Sequence, residues 1–488
     1  GGPGTCAQHI AQTEFEFTVF VDSSGRNRWE CLEDSPRLDI LGGPAVSLRA
    51  VAPSIVRAGE EFSLALMPLD AFGHPATGFD APMALSSSDE AGSVGSEAIS
   101  PTAEGYIREG LRLSTAGVQR ITVQGAGFQA DSNPILVEAD SQPFNLYWGD
   151  IHGHSTVSDG LRSPDDYYRY ARDVSRMDFA ALSDHEPGWC RSGRGPEAWD
   201  LVRRKAVEYH APGRFVTFSG YEWTSGRYGH KCVYYLTDDQ PVFAVCHLDY
   251  DTPAKLYAAL EGRRAMVITH HTAGGPAPAD LALIDPAWEP IVEIYSCHGC
   301  SDAEGVGRRL WRFSEGRGFY VQEALNQGYR FGIVGGSDTH TSDPGNPLVD
   351  HPLSPHPYRV GIMAVYASEL TREALWEAFW ARRVYGTTGE RILVDFRIDG
   401  HMMGEEVKVV ETQNLASLLI EVRVAGTAPL NRVEVIRNGE VILTRQTEAR
   451  DLSFAWQEEE IHSGYYYLRV TQSDEEMAWS SPIWVVVP

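Results

Sequence analysis

The chain has 488 residues and is acidic, with 41 Lys and Arg against 67 Asp and Glu and a formal net charge of -26. A surface with this charge repels nucleic acid and anionic membranes, so neither is expected as a partner. No apolar run reaches the 18 residues that predict a transmembrane helix. The start, Gly1–Gly4, carries no leader pattern. The sequence therefore predicts a globular protein and leaves its compartment (cytoplasmic, periplasmic or secreted) and its oligomeric state open.

The seven cysteines are an odd number, which argues against a full disulfide framework. Cys6 and Cys31 could pair in an oxidising compartment. Cys297 and Cys300 have CxxC spacing, which is typical of a redox pair or of half a zinc site. Incidental thiols beside a loop produce the same spacing, and we favour that interpretation.

In chain order, three regions differ in pattern. Residues 1–144 contain short alternating runs such as Phe62–Leu66 between turn residues, which predicts a β-sandwich. Residues 145–393 alternate short apolar strands with amphipathic helices, which predicts a mainly parallel sheet, either a barrel or doubly wound. Residues 394–488 alternate again and place Asn438-Gly439 at a hairpin turn, which predicts a second, smaller β-sandwich.

The middle region supplies the elements that bear on function. Its predicted strands are Asp178–Leu182, Phe215–Phe218, Ala265–Thr269, Ile291–Tyr295 and Gly332–Val334. Its predicted helices are Pro164–Val174, Glu197–Tyr209, Pro253–Glu261 and Arg372–Ala381. Trp189, Trp199 and Trp223 fall between or within these elements, and we expect them to be core residues.

Histidines and carboxylates follow these strands repeatedly. His152 and His154 are two residues apart, a spacing that places two side chains on one side of a strand. His185, Glu222, His270 and His271 end other strands, and Asp338 and His340 repeat the two-residue spacing. Because the C-terminal ends of barrel strands meet at one face, these side chains are expected to converge on metal ions. Asp150 and Asp184, which precede histidines of this set, are expected to orient the ligands.

The same motifs resemble the PHP superfamily, named for polymerase and histidinol phosphatase. They occur in family order as Asp150–Gly160 (DIHGHSTVSDG), Ser183–Glu186 (SDHE), Gly220–Glu222 (GYE), His230, His270–His271 and Ser337–His340 (SDTH). The flanking stretches Tyr147–Asp150, Thr387–Ile392 and Ala478–Trp484 resemble an uncharacterised branch of that superfamily. The resemblance implies a distorted (β/α)7 barrel over residues 145–393, with β-sandwiches on either side.

The resemblance also implies a trinuclear site. His152, His154, Glu222 and Asp338 would hold one ion, and Asp159, His185 and His340 a second. His230, Glu222 and one of His270 and His271 would hold a third. Adjacent strand residues face opposite ways, so only one of the two histidines should ligate unless the strand has ended, and His271 is slightly favoured.

Imidazole and carboxylate ligands suit two or three divalent ions of zinc, manganese or iron. Three ions facing three carboxylates would leave a local positive surplus that attracts a small anionic substrate. We expect hydrolysis by a metal-bridging hydroxide, most readily of a phosphoester. His298 and Asp184 are the further candidates for catalytic roles, together with Arg391, which could bind the substrate anion.

Two other functions remain open. An amidohydrolase-like enzyme acting on C–N or C–O bonds shares the early HxH motif, but typically ends with a lone Asp. A protein of another class, a binding protein with β-sandwich recognition modules and structural metal, would carry the same ligands without an open coordination position.

Overall fold

The computed structural model describes residues 7–95, 98–101, 105–186, 188–189, 193, 195–274, 277–310, 319–348, 358–409 and 417–487. These residues form a mixed α/β protein that is rich in β-sheet. Within the described ranges, no helix combines the length and the apolar character needed to cross a membrane.

The N-terminal region consists of short strands around one apolar core. The strands are β1 (Gln12–Glu16), β2 (Phe20–Val21), β3 (Glu30–Cys31), β4 (Arg37–Ile40), β5 (Ser47–Val51), β6 (Ile55–Arg57), β7 (Glu61–Leu69), β8 (Ala84–Ser87), β9 (Tyr106–Arg112), β10 (Gly117–Gln119), β11 (Ile121–Gly125), β12 (Phe128–Asp131) and β13 (Ile135–Glu138). Three small sheets, β5-β7-β9, β8-β11-β12 and β6-β13-β10, surround this core. Alternation explains β7, because Phe62, Leu64 and Leu66 are buried while Glu61 and Ser63 are exposed.

The middle region carries most of the parallel strand pairs and the described helices. Its strands are β14 (Asn145–Asp150), β15 (Phe179–Ala180), β16 (Val216–Thr217), β17 (Ser219–Ser225), β18 (Gly229–Tyr235), β19 (Ala265–Thr269), β20 (Ile291–Ser296), β21 (Gly299–Cys300), β22 (Gly332–Gly335), β23 (Ile362–Ala367) and β24 (Val384–Thr387). Its α-helices span Pro164–Arg169, Gly195–Tyr209, Pro253–Leu260, Val321–Asn326 and Arg372–Trp380, with a π-helical turn at Tyr170–Val174 and a 3-10 turn at Leu281–Leu283. The predicted strands and helices of this region are all present, with ends shifted by a few residues.

The middle sheets are mixed, so the prediction of a mainly parallel sheet is wrong in its detail. β14, β15 and β16 are parallel, and so are β19, β20 and β22. In contrast, β17, β18 and β19 pair antiparallel, and β23 pairs antiparallel with β14 and β24. β17 and β18 are antiparallel because they form a hairpin, in which Gly229 adopts a φ of 82° that favours glycine.

Hydrogen bonds beyond the strand ends connect the two middle sheets. The Asp338 amide donates to the His152 carbonyl at 2.9 Å, and the His154 amide donates to the Thr339 carbonyl at 3.0 Å. On the other side, His185 forms a parallel bridge with Glu222. The segments that follow β14, β15 and β22 therefore lie next to one another, and Glu222 within β17 adjoins them.

The C-terminal strands complete one of the middle sheets. They are β25 (Leu393–Ile398), β26 (His401–Met402), β27 (Glu406–Lys408), β28 (Leu418–Ala425), β29 (Leu430–Arg437), β30 (Glu440–Gln446), β31 (Asp451–Glu458), β32 (Gly464–Gln472), β33 (Met477–Ser480) and β34 (Ile483–Val486). β25, β26, β28 and β31 form a separate four-stranded sheet, whereas β33 pairs with β24 and thereby joins β32, β29 and β30 to the middle region. The predicted hairpin turn is present, with Asn438 and Gly439 at φ 50° and 83°.

The cysteines do not support a redox pair at the CxxC motif. Cys297 and Cys300 are buried free thiols on either side of a tight hairpin between β20 and β21. Cys31 is exposed with a free thiol, and Cys6, its proposed partner, lies outside the described residues. Cys246 is disulfide-bonded.

Candidate metal centre

The end of β14 and the segment after β22 bring the first histidines and an aspartate together. Ligand atoms of His152, His154 and Asp338 lie within 4.8 Å of one another. His154 Nε2 is 3.2 Å and His152 Nε2 is 3.5 Å from Asp338 Oδ1. Asp338 has a φ of 52°, a left-handed conformation that turns its side chain toward the imidazoles. The structure thus unites three of the four residues predicted for the first ion in one group.

Glu222 on β17 lies at the centre of the cluster. Its side chain is fully buried, and its carboxylate oxygens lie 2.7–3.6 Å from ring nitrogens of five histidines, namely His152, His154, His185, His230 and His270. Because β17 alternates, Glu222 shares its sheet face with Thr224 and Gly220 rather than with Trp223. Glu222 is accordingly placed between the groups predicted for the first and third ions.

A second group lies on the solvent side. Asp159, His185 and His340 gather with His154, with ligand atoms within 4.8 Å of one another. Asp159 Oδ2 lies 3.4 Å from His340 Nε2 and 3.7 Å from His185 Nε2. The side chains of Asp159, His185 and His340 are 56%, 21% and 21% exposed, so solvent reaches the cluster from this side.

Both adjacent histidines reach the cluster. β19 ends at Thr269, and His271 has a φ of 33°, so the alternation of a strand no longer separates the two rings. His270 Nε2 lies 3.6 Å from Glu222 Oε1, and ligand atoms of His230, His270 and His271 form a further group. The slight preference for His271 is not reflected in the contacts, because His270 is the one beside Glu222.

Glu293 on β20 is a residue of the site that the sequence did not reveal. His152 Nδ1 donates to Glu293 Oε2 at 2.8 Å, which leaves His152 Nε2 facing Glu222 and Asp338. A Cβ atom at Gly336 would collide with the Glu293 carboxylate, so the glycine makes room for this pair. The only signal in the sequence was a charged residue inside the apolar run Ile291–Tyr295.

Cys232 is a second such residue. It lies directly opposite Glu222 in the β17–β18 pairing, and its Sγ is 3.7 Å from His270 Nδ1. Its thiol, His152, Glu222 and His270 form another group with metal-ligand spacing. The two-residue spacing of His230 and Cys232 on β18 is the pattern that could have indicated it.

Mutual electrostatics perturb the ionisation of the whole cluster. Burial would raise the pKa of Glu222, but the imidazoles of His185 and His230 hold it well below its usual range. Burial and the neighbouring His185 lower the pKa of His154 to about 3. Burial lowers the pKa of His185 as well, yet Glu222 outweighs burial and raises it to about 9. Closely packed groups whose pKa values diverge in this way are typical of functional sites.

Several donor atoms at the centre have no hydrogen bond among the described residues. They are His152 Nε2, His270 Nε2 and Glu222 Oε2, each in a residue that is at least 98% buried. Buried polar atoms are almost always paired, and an unpaired group costs about 1–3 kcal/mol. Imidazole nitrogens and carboxylate oxygens that converge without partners match the ligand needs of a divalent cation.

Three residues that were predicted to take part in catalysis or to orient the metal ligands lie within the cluster or next to it. His298 Nε2 lies 3.1 Å from Asp338 Oδ2, within the cluster. Asp184 is buried one step away, where it accepts hydrogen bonds from Ser155 and Ser158. Asp150 accepts from the amides of His152 and Ser337, and burial raises its pKa to about 6. Both aspartates therefore hold the backbone that carries the ligands.

The structure does not bring Arg391 to this cluster. Its Nη2 donates to the carbonyls of Ser175 and Arg176, and its guanidinium lies 5.8 Å from the ring centroid of Trp148. These partners precede β15 or lie within β14, away from the strand ends that carry the histidines. Arg391 thus connects segments of the middle region.

The comparisons with known proteins give a family but not a function. Residues 178–311 and 355–417 match the model of a family described as "Protein of unknown function (DUF3604)". An uncharacterised protein of Chlamydia pneumoniae is 30% identical over 99% of this chain and 80% of its own length. An uncharacterised protein of Chlamydia trachomatis is 28% identical over the same shares. The chain belongs to the family of these chlamydial proteins.

Two solved structures are weakly similar to parts of this chain. A two-domain protein from Bacteroides vulgatus, described as containing a predicted PHP-like metal-dependent phosphoesterase, has a TM-score of 0.39 and 16% identity, over 70% of this chain and 96% of its own. PsfC from Pseudomonas syringae has a TM-score of 0.33 and 17% identity, over 49% of this chain and 91% of its own. Similarities at this level carry no argument about activity.

Proposed function

We propose that this protein is a metal-dependent hydrolase, and specifically a phosphoesterase with a di- or trinuclear centre in a closed barrel. The observation that carries the proposal is the convergence of buried nitrogen and oxygen atoms of His152, His270 and Glu222 that make no hydrogen bond among the described residues. Without a cation, these buried atoms would have lost their hydration without gaining a bond, which would destabilise the folded protein. The links between the segments after β14 and β22 support the closed barrel.

The ligand groups support more than one ion. His152, His154 and Asp338 would hold the first, and Asp159, His185 and His340 the second. His230 and His270 would hold the third, with Glu222 shared between groups. Zinc, manganese or iron fits these nitrogen and oxygen donors. When bound, the ions would lower the pKa of coordinated water and offset the charge of an anionic ester.

The chain's own residues would orient the substrate and move protons. Glu293 fixes the ring of His152 through Nδ1, and Asp184 fixes the loop that presents Asp159. His298 Nε2, beside Asp338 Oδ2, is placed to give a proton to the oxygen of the departing alcohol. The carboxylates of Asp159, Glu222 and Asp338 are too few to neutralise three divalent ions, so the loaded site would attract a small anionic substrate.

Hydrolysis of an ester panel tests this proposal. Protein loaded with manganese, zinc or iron is assayed on a phosphomonoester, a phosphodiester and a carboxyl ester, before and after chelation. We expect metal-dependent hydrolysis of a phosphoester, lost with chelator and restored by metal. His298→Asn should lower kcat by roughly 100-fold, within the range for a lost general acid, while the exposed control Glu261→Gln keeps wild-type activity. Retained metal without turnover of any ester would instead favour a binding protein.

A further inference from the structure

A pocket of about 530 Å³ adjoins the solvent side of the cluster. The loop after β14 forms one wall with Val157 and Asp159, and the helix Gly195–Tyr209 forms the opposite wall. His185 lies at the inner end. Because Asp159 and His185 belong to the exposed side of the cluster, a substrate that reaches the ions also meets this pocket.

Four of the ten described residues that line the pocket have apolar side chains. Val157, Trp189, Ala198 and Leu201 line it, and the Trp189 indole donates to the Val157 carbonyl at 3.0 Å, which fixes the ring against the loop. Ala198 and Leu201 are three residues apart and so share one face of the helix. Trp189 therefore serves as a wall of a pocket as well as part of the core.

The lining residues that the structure describes carry two carboxylates and one imidazole, that of His185. Among the described lining residues, the carboxylates are Asp159 and the exposed Glu197, and none of the lining residues is Lys or Arg. A second anionic group on a substrate would be repelled here, whereas an uncharged apolar group would gain about 0.8 kcal/mol of burial free energy per methylene, about fourfold in affinity.

We propose that this pocket binds the alcohol part of the substrate, and that the substrate is an ester with one anionic centre and an apolar alkyl or aryl alcohol. This inference rests on the proposed phosphoesterase function. In the reaction, a bond forms between the oxygen of water and phosphorus, and the bond between phosphorus and the alcohol oxygen breaks. One proton of water ends on the released alcohol and the other on the phosphate. The pocket supplies no part of that chemistry and determines which alcohol is accepted.

Calorimetric binding of alkylphosphonates, whose C–P bond is not hydrolysed, tests the pocket without turnover. The metal-loaded protein is titrated with methylphosphonate, hexylphosphonate and 5-carboxypentylphosphonate. Leu201→Lys is compared with Val207→Lys, a matched change at an exposed position of the same helix outside the pocket. We expect hexylphosphonate to bind at least about tenfold more tightly than methylphosphonate in the wild type and in Val207→Lys. Leu201→Lys should reduce that ratio below about threefold and make the carboxylated ligand the tighter of the two long ones.

Each outcome separates this inference from the proposed function. Equal affinities for methyl- and hexylphosphonate, failure of both to bind, or identical profiles of the two Lys variants would overturn the pocket assignment. Absence of ester hydrolysis, with the chain-length dependence of binding intact, would overturn the phosphoesterase and retain the pocket as a binding site for apolar anions.

Discussion

At the scale of single residues, the cluster depends on carboxylates that hold imidazole rings. Glu293 accepts a hydrogen bond from His152 Nδ1, so His152 Nε2 points to the centre of the cluster. A carboxylate in this position fixes the tautomer of a ligating histidine and raises its basicity. Glu293 is thus a positioning residue whose effect should be visible in metal affinity.

Glu293→Gln should lower the affinity for the metal by about 10- to 100-fold, the range for loss of a partner of a ligating histidine. The amide can still hydrogen-bond the ring, so the fold should persist. Competition with a chromogenic chelator measures the change, and Glu261→Gln on the surface is the control. An unchanged affinity in Glu293→Gln would remove Glu293 from the site.

Asp89, which lies outside the cluster, should make the stability of the fold depend on pH. Burial would raise the pKa of Asp89, but hydrogen bonds from Thr115 and the Ser114 amide lower it to about 2. The stabilisation from this carboxylate is therefore present above the unfolded pKa near 4 and is lost as the pH falls toward 2.

Asp89→Asn should lower the free energy of unfolding by roughly 1–2 kcal/mol at pH 7, because several hydrogen bonds to a charged acceptor weaken. The difference between variant and wild type should shrink between pH 4 and pH 2.5. Denaturant unfolding at three pH values measures it, and a difference that stays constant with pH would contradict the assignment.

At the scale of elements, the loop between β14 and the first helix presents Asp159. Asp184, after β15, accepts hydrogen bonds from the Ser155 amide and from the hydroxyls of Ser155 and Ser158. A Cβ atom at Gly160 would collide with the His154 carbonyl, so the loop must fold back closely at that residue. The segments after β14 and β15 thus jointly fix the position of Asp159 on the solvent side of the cluster.

Asp184→Ala should release this loop and remove the ion of the Asp159 group while the buried groups retain theirs. We expect the metal content to fall by about one ion per chain and the rate by about 10- to 100-fold. Elemental analysis of the purified variant provides the count. The same metal content as the wild type would show that Asp184 does not support the centre.

The elements differ in how far the sequence reveals them. β19 was predicted to the residue because Ala265–Thr269 is a short apolar run. The helix predicted as Pro253–Glu261 ends one residue earlier, at Leu260, and Thr252 caps its start. The hairpin of β17 and β18 was missed, since Glu222, His230 and Lys231 interrupt its apolar pattern. Its polar residues face the cluster or, for Lys231, a buried Glu289, and sequence alone does not show such pairing.

At the scale of the whole molecule, one sheet continues from the middle region into several of the C-terminal strands. β24 pairs with β33, and Trp479 on β33 packs its ring 6.0 Å from that of Tyr295 on β20. Arg469 on β32 donates to Asp302, which also accepts from Trp479. The boundary near residue 393 was inferred from a change in strand pattern, and a pattern of alternation cannot reveal pairing between strands 90 residues apart.

A fragment that ends at residue 393 should therefore be insoluble or unfolded, because β24 loses its partner strand and the Tyr295 ring loses its contact with Trp479. In the full-length chain, the middle and C-terminal regions should unfold in a single transition. Expression tests and differential scanning calorimetry measure both. A soluble fragment with the wild-type Tm would show that residues 394–488 form an independent domain.

The ligand set itself was largely readable from the sequence, because two-residue spacings and strand ends place side chains on one face. Glu293 and Cys232 were not, because neither belongs to one of these motifs: Glu293 is a single charge in an apolar run, and Cys232 is a single thiol within β18. Metal content tests the central claim most directly. Elemental analysis after loading with zinc or manganese should give two or three ions per chain in the wild type and in Glu261→Gln, and at most one in Glu222→Gln, whose Asp159 group remains intact. Wild-type protein that retains no transition metal, or a Glu222→Gln variant with the wild-type content, would contradict the account.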